Sequence, residues 1–221
     1  CEDLLNVLAE AGIETIDFIA SPIASSSIAL SKKQKIVGVA LVNIGAETTS
    51  LAVFENETLV FLHIFSIGSE DITNDIALGL KISLKEAESL KLDSSSLDFP
   101  KKKVEEIIEA RLSDIFELIE NHLKKIKRNE LLPAGIIFVG GGSNILNIEE
   151  LSKSFLKLPS KVGATEIFGN TKTKLRENTW FTALGLLMSI KNSQSYGEGS
   201  FSTFFKDLKS TLKSSVKQLL P

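Results

Sequence analysis

Apolar positions fall into two patterns along this chain, and each predicts a different element. Nearly unbroken apolar runs at residues 36–42, 48–54, 58–67 and 135–139 are the signature of buried strands. The first three are separated only by a turn at Gly45 and by Glu55-Asn56-Glu57, which predicts a meander. Repeats at three- and four-residue spacing predict helices. A helix is expected over residues 1–12, with Leu4, Leu5, Val7, Leu8 and Ala11 toward a core and Gly12 as its stop. Residues 16–20 read as a short strand, and Pro22 opens a helix to about Leu30. Further helices are expected over 70–80, capped by Ser69, and 83–91, with Ser83 and Glu86 as a capping box. The longest covers 101–129, with Val104, Ile107, Ile108, Leu112, Ile115, Phe116, Ile119, Leu123 and Ile126 on one face. Beyond the strand at 135–139, helices at 148–155 and 179–189 flank a short strand at 162–166. Trp180 reads as core.

Two strand ends carry candidate chemistry. After the first strand, Asn43, Gly45, Ala46, Glu47, Thr48 and Thr49 place a polar residue, a glycine turn and paired threonines in succession. Such a turn can offer backbone N–H and hydroxyl groups to phosphate, or it can be an ordinary hairpin. After the strand at 135–139, Gly140, Gly141, Gly142 and Ser143 suit a turn that touches adenosine, or a purely structural one. Glu88 and Lys91, three residues apart, share a helix face. The pair can bind ribose hydroxyls or be a surface ion pair.

Composition narrows the class. With 43% hydrophobic residues and net charge −3, the chain can build a sizeable core and carries no overall signature of nucleic-acid binding. Its only cysteine, Cys1, excludes an internal disulfide framework. His63 and His122 are the only histidines and lie far apart in sequence, which gives little support for a metal site. The charge runs at 101–103 and 124–128 read as solvated faces. No apolar run approaches the roughly 20 residues of a membrane span. Position 1 is not methionine, so the chain is expected to start inside a longer one.

The C-terminal segment has a pattern of its own. Residues 191–200 read as a flexible linker. Beyond it, Phe201, Phe204, Phe205, Leu208, Leu212, Val216 and Leu219 fall largely on one helical stripe, flanked by Lys206, Lys209, Lys213 and Lys217. A basic amphipathic helix on a linker predicts a membrane-surface anchor, the alternative being a helix that packs in a protein groove.

In this order the pieces resemble the FtsA family of bacterial actin-like cell-division proteins. The matching segments are Ala24-Ser25-Ser26, residues 39–53, Gly68-Ser69-Glu70-Asp71-Ile72-Thr73-Asn74-Asp75-Ile76-Ala77, Glu86-Ala87-Glu88 with Lys91, Ile108 with Arg111, residues 138–144, and Thr182-Ala183 with Gly185-Leu186. The resemblance implies an α/β, actin-like (ribonuclease H-like) ATPase fold, present in part. In that frame residues 1–35 end subdomain 1A, 36–70 and 131–178 form 2A, 71–130 form 2B, 179–190 return to 1A, and 201–221 are the membrane-targeting helix. It implies ATP and Mg2+ as cofactors, held by Asn43, Gly45, Thr48, Thr49, Gly68, Glu88, Lys91, Gly140, Gly141, Gly142 and Ser143. In actin-type ATPases the residue at the place of Asn43 is an aspartate that holds Mg2+ through water. Asn43 has no charge, Ala46 replaces a glycine, and Glu47 brings a carboxylate to the phosphate side, so at most slow hydrolysis is expected. The implied function is a scaffold that tethers the FtsZ ring to the inner face of the cytoplasmic membrane. Its implied partners are the FtsZ C-terminal tail at 2B, further copies of itself in filaments, and the membrane surface. An actin-like cytoplasmic component of a pilus or secretion platform is the alternative.

Overall fold

The computed structural model describes residues 2–15, 17–92, 99–165 and 174–194. The chain divides into two compact units, Cys1–Leu186 and Leu187–Pro221. The first contains one five-stranded sheet in the order β3-β2-β1-β4-β5. Its strands are β1 (Val39–Ile44), β2 (Thr49–Glu55), β3 (Thr58–Phe65), β4 (Ile136–Val139) and β5 (Ser160–Val162). The meander β1–β2–β3 is antiparallel, with a bulge at Val53/Phe54. Strands β4 and β5 add in parallel on the far side of β1. In this register Asn43 lies opposite Ser50 on one neighbour and Val139 on the other. That pairing brings the end of β1 beside the end of β4, and so both glycine turns to one edge of the sheet.

The period-two alternation of the strands sends Val42, Ile44, Leu51, Val53 and Phe138 to one face. There they meet α4 (Ser69–Leu80), α5 (Leu84–Leu92), α6 (Lys101–Lys125) and α7 (Ile148–Leu156). Helix α6 supplies more of this core than any other helix, burying Val104, Leu112, Ile115, Phe116, Ile119 and Leu123 completely or nearly so. On the opposite face α2 (Ser21–Ala29) packs on β1, β2 and β4. Among the described residues the last helix is α8 (Phe181–Gln194). Among the described residues no helix is long and apolar enough to cross a membrane.

Several sequence expectations are corrected. Residues 17–20 form no strand. Residues 36 and 37 belong to a helix, α3 (Lys32–Val37), rather than to the first strand. Its start is set by a capping box: Ser31 Oγ accepts from the Gln34 N–H at 3.3 Å, and Gln34 Oε1 accepts from the Ser31 N–H at 2.8 Å. Gly38, at φ +107°, then turns the chain into β1. Helix α1 (Glu2–Glu10) forms as expected but buries none of its residues. Its apolar stripe shows that it can be covered, and nothing among the described residues covers it. The N-cap of α4 is Gly68, not Ser69: its backbone is extended, its N–H donates to Asp71 Oδ2 at 2.8 Å, and a side chain there would run into the Ala46 carbonyl. Helix α6 stops four residues short of its expected end. Lys127 adopts φ +57° and the Arg128 N–H closes back on the Leu123 carbonyl at 2.8 Å. Strand β5 starts two residues before its expected position. Trp180 is 44% exposed, and its neighbour Phe181 takes the core position. Helix α8 runs to Gln194, into the segment read as a linker. The amphipathic segment 201–221 lies outside the described residues.

Candidate functional site

A cleft of about 690 Å³ opens between the glycine turn after β4 and helices α5 and α6. Its walls include Glu88, Lys91 and Leu92 on one side and Lys101, Glu105, Ile108 and Glu109 on the other. Gly141 and Gly142 line it beneath. A second recess of about 460 Å³, lined by Ala46, Glu70, Asn74 and Lys85, shares Ser69, Glu88 and Lys91 with the first. The Glu88–Lys91 wall therefore stands between the glycine turn and the tip of the β1–β2 hairpin.

That wall is built from the i,i+3 spacing on α5 and a third residue from α4. Lys91 Nζ lies 2.6 Å from Glu88 Oε2 and donates to Thr73 Oγ1 at 2.8 Å and to the Ser69 carbonyl at 3.1 Å. Thr73 Oγ1 donates in turn to Glu88 Oε2 at 2.5 Å. Burial is the largest single influence on Glu88 and opposes its charge. The hydrogen bonds from Lys91 and Thr73, with the Lys91 charge, outweigh it and hold the carboxyl below its ordinary pKa.

The three glycines have different reasons. Gly140, at φ +86°, has no room for a side chain against Asn43 and the Ile44 carbonyl. Gly142 has none against the Ile44 side chain. A Cβ on Gly141, by contrast, would meet only Thr179 Cγ2, at 3.9 Å. Gly140 and Gly142 are thus explained by close packing on β1, and Gly141 keeps its bare backbone toward the cleft. Ser143 is buried, donating to the Gly140 carbonyl at 2.7 Å and accepting from Asn178 Nδ2 at 3.0 Å. It braces the turn from behind.

The hairpin turn is closed on itself and on α4. The Gly45 N–H donates to the Thr48 carbonyl at 2.8 Å. The Gly45 and Ala46 carbonyls accept from the Ser69 and Glu70 N–H groups at 2.9 and 2.8 Å, and the Gly68 N–H donates to Asp71 Oδ2 at 2.8 Å. The first amides of α4, which an anion could otherwise use, are engaged. Thr48 and Glu47 are exposed, whereas Thr49 is fully buried with no partner for its hydroxyl among the described residues. Of the eleven residues that the sequence nominates for nucleotide, Glu88, Lys91, Gly141 and Gly142 line the cleft directly. The set suits the nucleoside end of a nucleotide. Where the resemblance implies a phosphate contact, position 43 offers an amide instead of a carboxylate, and no three His, Cys, Asp or Glu side chains form a metal-binding group among the described residues.

Two further groupings join segments that carry the resemblance. Arg111 on α6 clasps Asp75 on α4 through two hydrogen bonds of 2.6 and 2.9 Å. Gly185 on α8 lies so close to Ala24 on α2 that a side chain there would strike the Ala24 carbonyl. At the other end of α6, Arg128 is not simply solvated. It forms a two-pronged pair with Glu55, one contact being Nη2 to Oε2 at 3.0 Å.

A family model described as "Cell division protein FtsA" matches residues 40–185, which include both glycine turns and the Glu88–Lys91 wall. The chain belongs to the FtsA family. Cell division protein FtsA of Bacillus subtilis is 31% identical over 218 residues, covering 88% of this chain and 48% of the relative. The Pseudomonas aeruginosa FtsA is 27% identical, covering 84% and 50%. The chain thus spans about half the length of these FtsA relatives. Among solved structures it is similar to MreB 5 of Spiroplasma citri bound to AMPPNP, with TM-score 0.73 and 19% identity over 89% of this chain and 66% of that one. It is also similar to a PilM–PilN type IV pilus biogenesis complex, with TM-score 0.70 and 18% identity over 85% and 56%. The FtsA-family chain therefore has an actin-like α/β fold. Glu105, Glu109 and Thr179 line the cleft without having stood out in the sequence, and Lys101, read as part of a solvated face, and Ile108, read as part of an apolar helix face, line it too, because only tertiary packing brings them there.

Proposed function

We propose that this chain is the nucleotide-holding half of a membrane-tethered division scaffold. The observation that carries this reading is the cleft itself: an ionised Glu88 fixed by Lys91 and Thr73, facing a bare Gly141 backbone, in a chain of the FtsA family. ATP is the proposed ligand, with Mg2+ arriving on the nucleotide's phosphates. The division relatives and the AMPPNP-bound MreB 5 support it. Residues 36–70 and 131–178 act as subdomain 2A and 71–130 as 2B, which docks the C-terminal tail of FtsZ. Residues 1–35 and 179–190 belong to 1A. Copies of the chain line up into filaments under the cytoplasmic membrane, and the basic amphipathic segment 201–221 holds them on its inner face. Hydrolysis is slow at most, since Asn43 and Glu47 stand where Mg2+ and phosphate need opposite charge.

Sedimentation with liposomes containing anionic lipid tests the tether. The chain is expected to pellet with the vesicles at low salt, less at high salt, and not at all without residues 201–221. Pelleting that ignores the removal of this segment would reject the tether.

A further inference from the structure

We propose that His63 and His122 form a two-histidine site for a divalent transition metal ion such as Zn2+, and that the bound ion pins strand β3 to helix α6. The inference is independent of the nucleotide reading, since neither histidine lines the cleft or the second recess.

The fold joins two residues that the sequence keeps apart. Strand β3 is an edge of the sheet and carries His63, while α6 carries His122. The two rings lie 4.3 Å apart between centroids, with 24° between their planes. Phe65 meets both edge-on, at 4.7 and 4.8 Å, and Phe61 lies 6.4 and 6.2 Å from them. Aromatic rings therefore hold the pair together.

His122 has the hydrogen bond that a metal ligand needs. Its Nδ1 lies 2.9 Å from the Leu118 carbonyl oxygen. That oxygen only accepts, so Nδ1 carries the proton and Nε2 keeps a lone pair. Metal-binding histidines are commonly oriented this way, with the spare ring N–H held by a carbonyl or carboxylate. His63 is exposed, so its ring turns about its own side-chain bonds without leaving a packed position. An ion held by imidazole nitrogens at roughly 2.0–2.1 Å needs its two donors about 3 Å apart. Turning His63 is the adjustment that brings its donor to this spacing, and His122 stays fixed. Imidazole donors suit Zn2+, Cu2+ or Ni2+, whereas Mg2+ and Ca2+ demand oxygen. No third His, Cys, Asp or Glu joins the pair among the described residues, so water completes the ion's shell. The positive charge of Lys125 acts on His63 and opposes the ion.

The test is titration of the Cys1→Ser chain with Zn2+, read by competition with a chromophoric chelator and by the melting temperature. This variant has no cysteine, and His63 and His122 are its only histidines. One Zn2+ is expected to bind per chain and to raise Tm, because an ion that binds the folded form stabilises it. Mg2+ at the same concentration should not compete. His63→Gln and His122→Gln are each expected to weaken binding by about tenfold or more, since each imidazole is a tethered second ligand for the other's ion. His63 is exposed, so His63→Gln reports even where His122→Gln does not fold. Absence of saturable Zn2+ binding, or binding of undiminished strength in His63→Gln, overturns the inference.

Discussion

The hydroxyl of Thr49 is fully buried and has no hydrogen-bond partner among the described residues. An orphaned buried hydroxyl costs stability, whereas a methyl of similar shape does not. Thr49→Val is therefore expected to stabilise the chain by about 1 kcal/mol, read as a higher urea midpoint at unchanged slope. His63 carries a pH-dependent cost. Its ring stacks on His122 at 4.3 Å between centroids, and Phe65 meets both rings edge-on. His63 is exposed, and partial desolvation against its neighbours first, then the charges of His122 and Lys125, lower its pKa from the ordinary 6.5. The unfolded chain then binds more protons below that value, so stability present above about pH 6.5 falls as the medium is acidified. The melting temperature should drop between about pH 7.5 and 5.5, and His63→Gln should flatten that dependence. Glu88 acts in a separate window, since its depressed pKa withdraws stability only below the ordinary 4.5. In sequence the two histidines stand 59 positions apart, and nothing in their spacing announces the stack. Glu88 and Lys91 were legible because both lie on one helix. Thr73 was not legible as their hydrogen-bond partner, because it reaches them from another.

At the scale of elements, periodicity located most helices and strands to within a few residues. Its errors arose where a local device overrode the apolar pattern. Ile36 and Val37 extend an apolar run and look like strand, yet the Ser31–Gln34 capping box and Gly38 make them the last turn of a helix. Glycine was the other ambiguous signal. Gly185 sits inside α8, where alanine would ordinarily favour the helix by about 1 kcal/mol. Here the added carbon would meet the backbone of Ala24, which cannot rotate away as a side chain would. Gly185→Ala is therefore expected to destabilise by about 1–3 kcal/mol, measured by chemical unfolding. A gain in stability would show that α2 and α8 can separate at no cost. The matched segments Ala24-Ser25-Ser26 and Thr182-Ala183 with Gly185 are far apart in sequence, and this contact gives both a shared reason.

For the whole molecule, strand order explains why turns at residues 43–49 and 140–143 meet at one edge: β4 inserts beside β1 in parallel, so both strands end on the same side. The sequence supported this arrangement through the family resemblance, since periodicity alone does not say which strands are neighbours. From sequence the turn at 43–49 is either a phosphate-type turn or an ordinary hairpin. In the structure its carbonyls are fastened to the first amides of α4. Those two hydrogen bonds join the hairpin tip to a twelve-residue helix, and Lys91 ties α5 to the same turn through the Ser69 carbonyl. The tip can part from α4 only by breaking these hydrogen bonds, so hairpin and helix root share one anchorage.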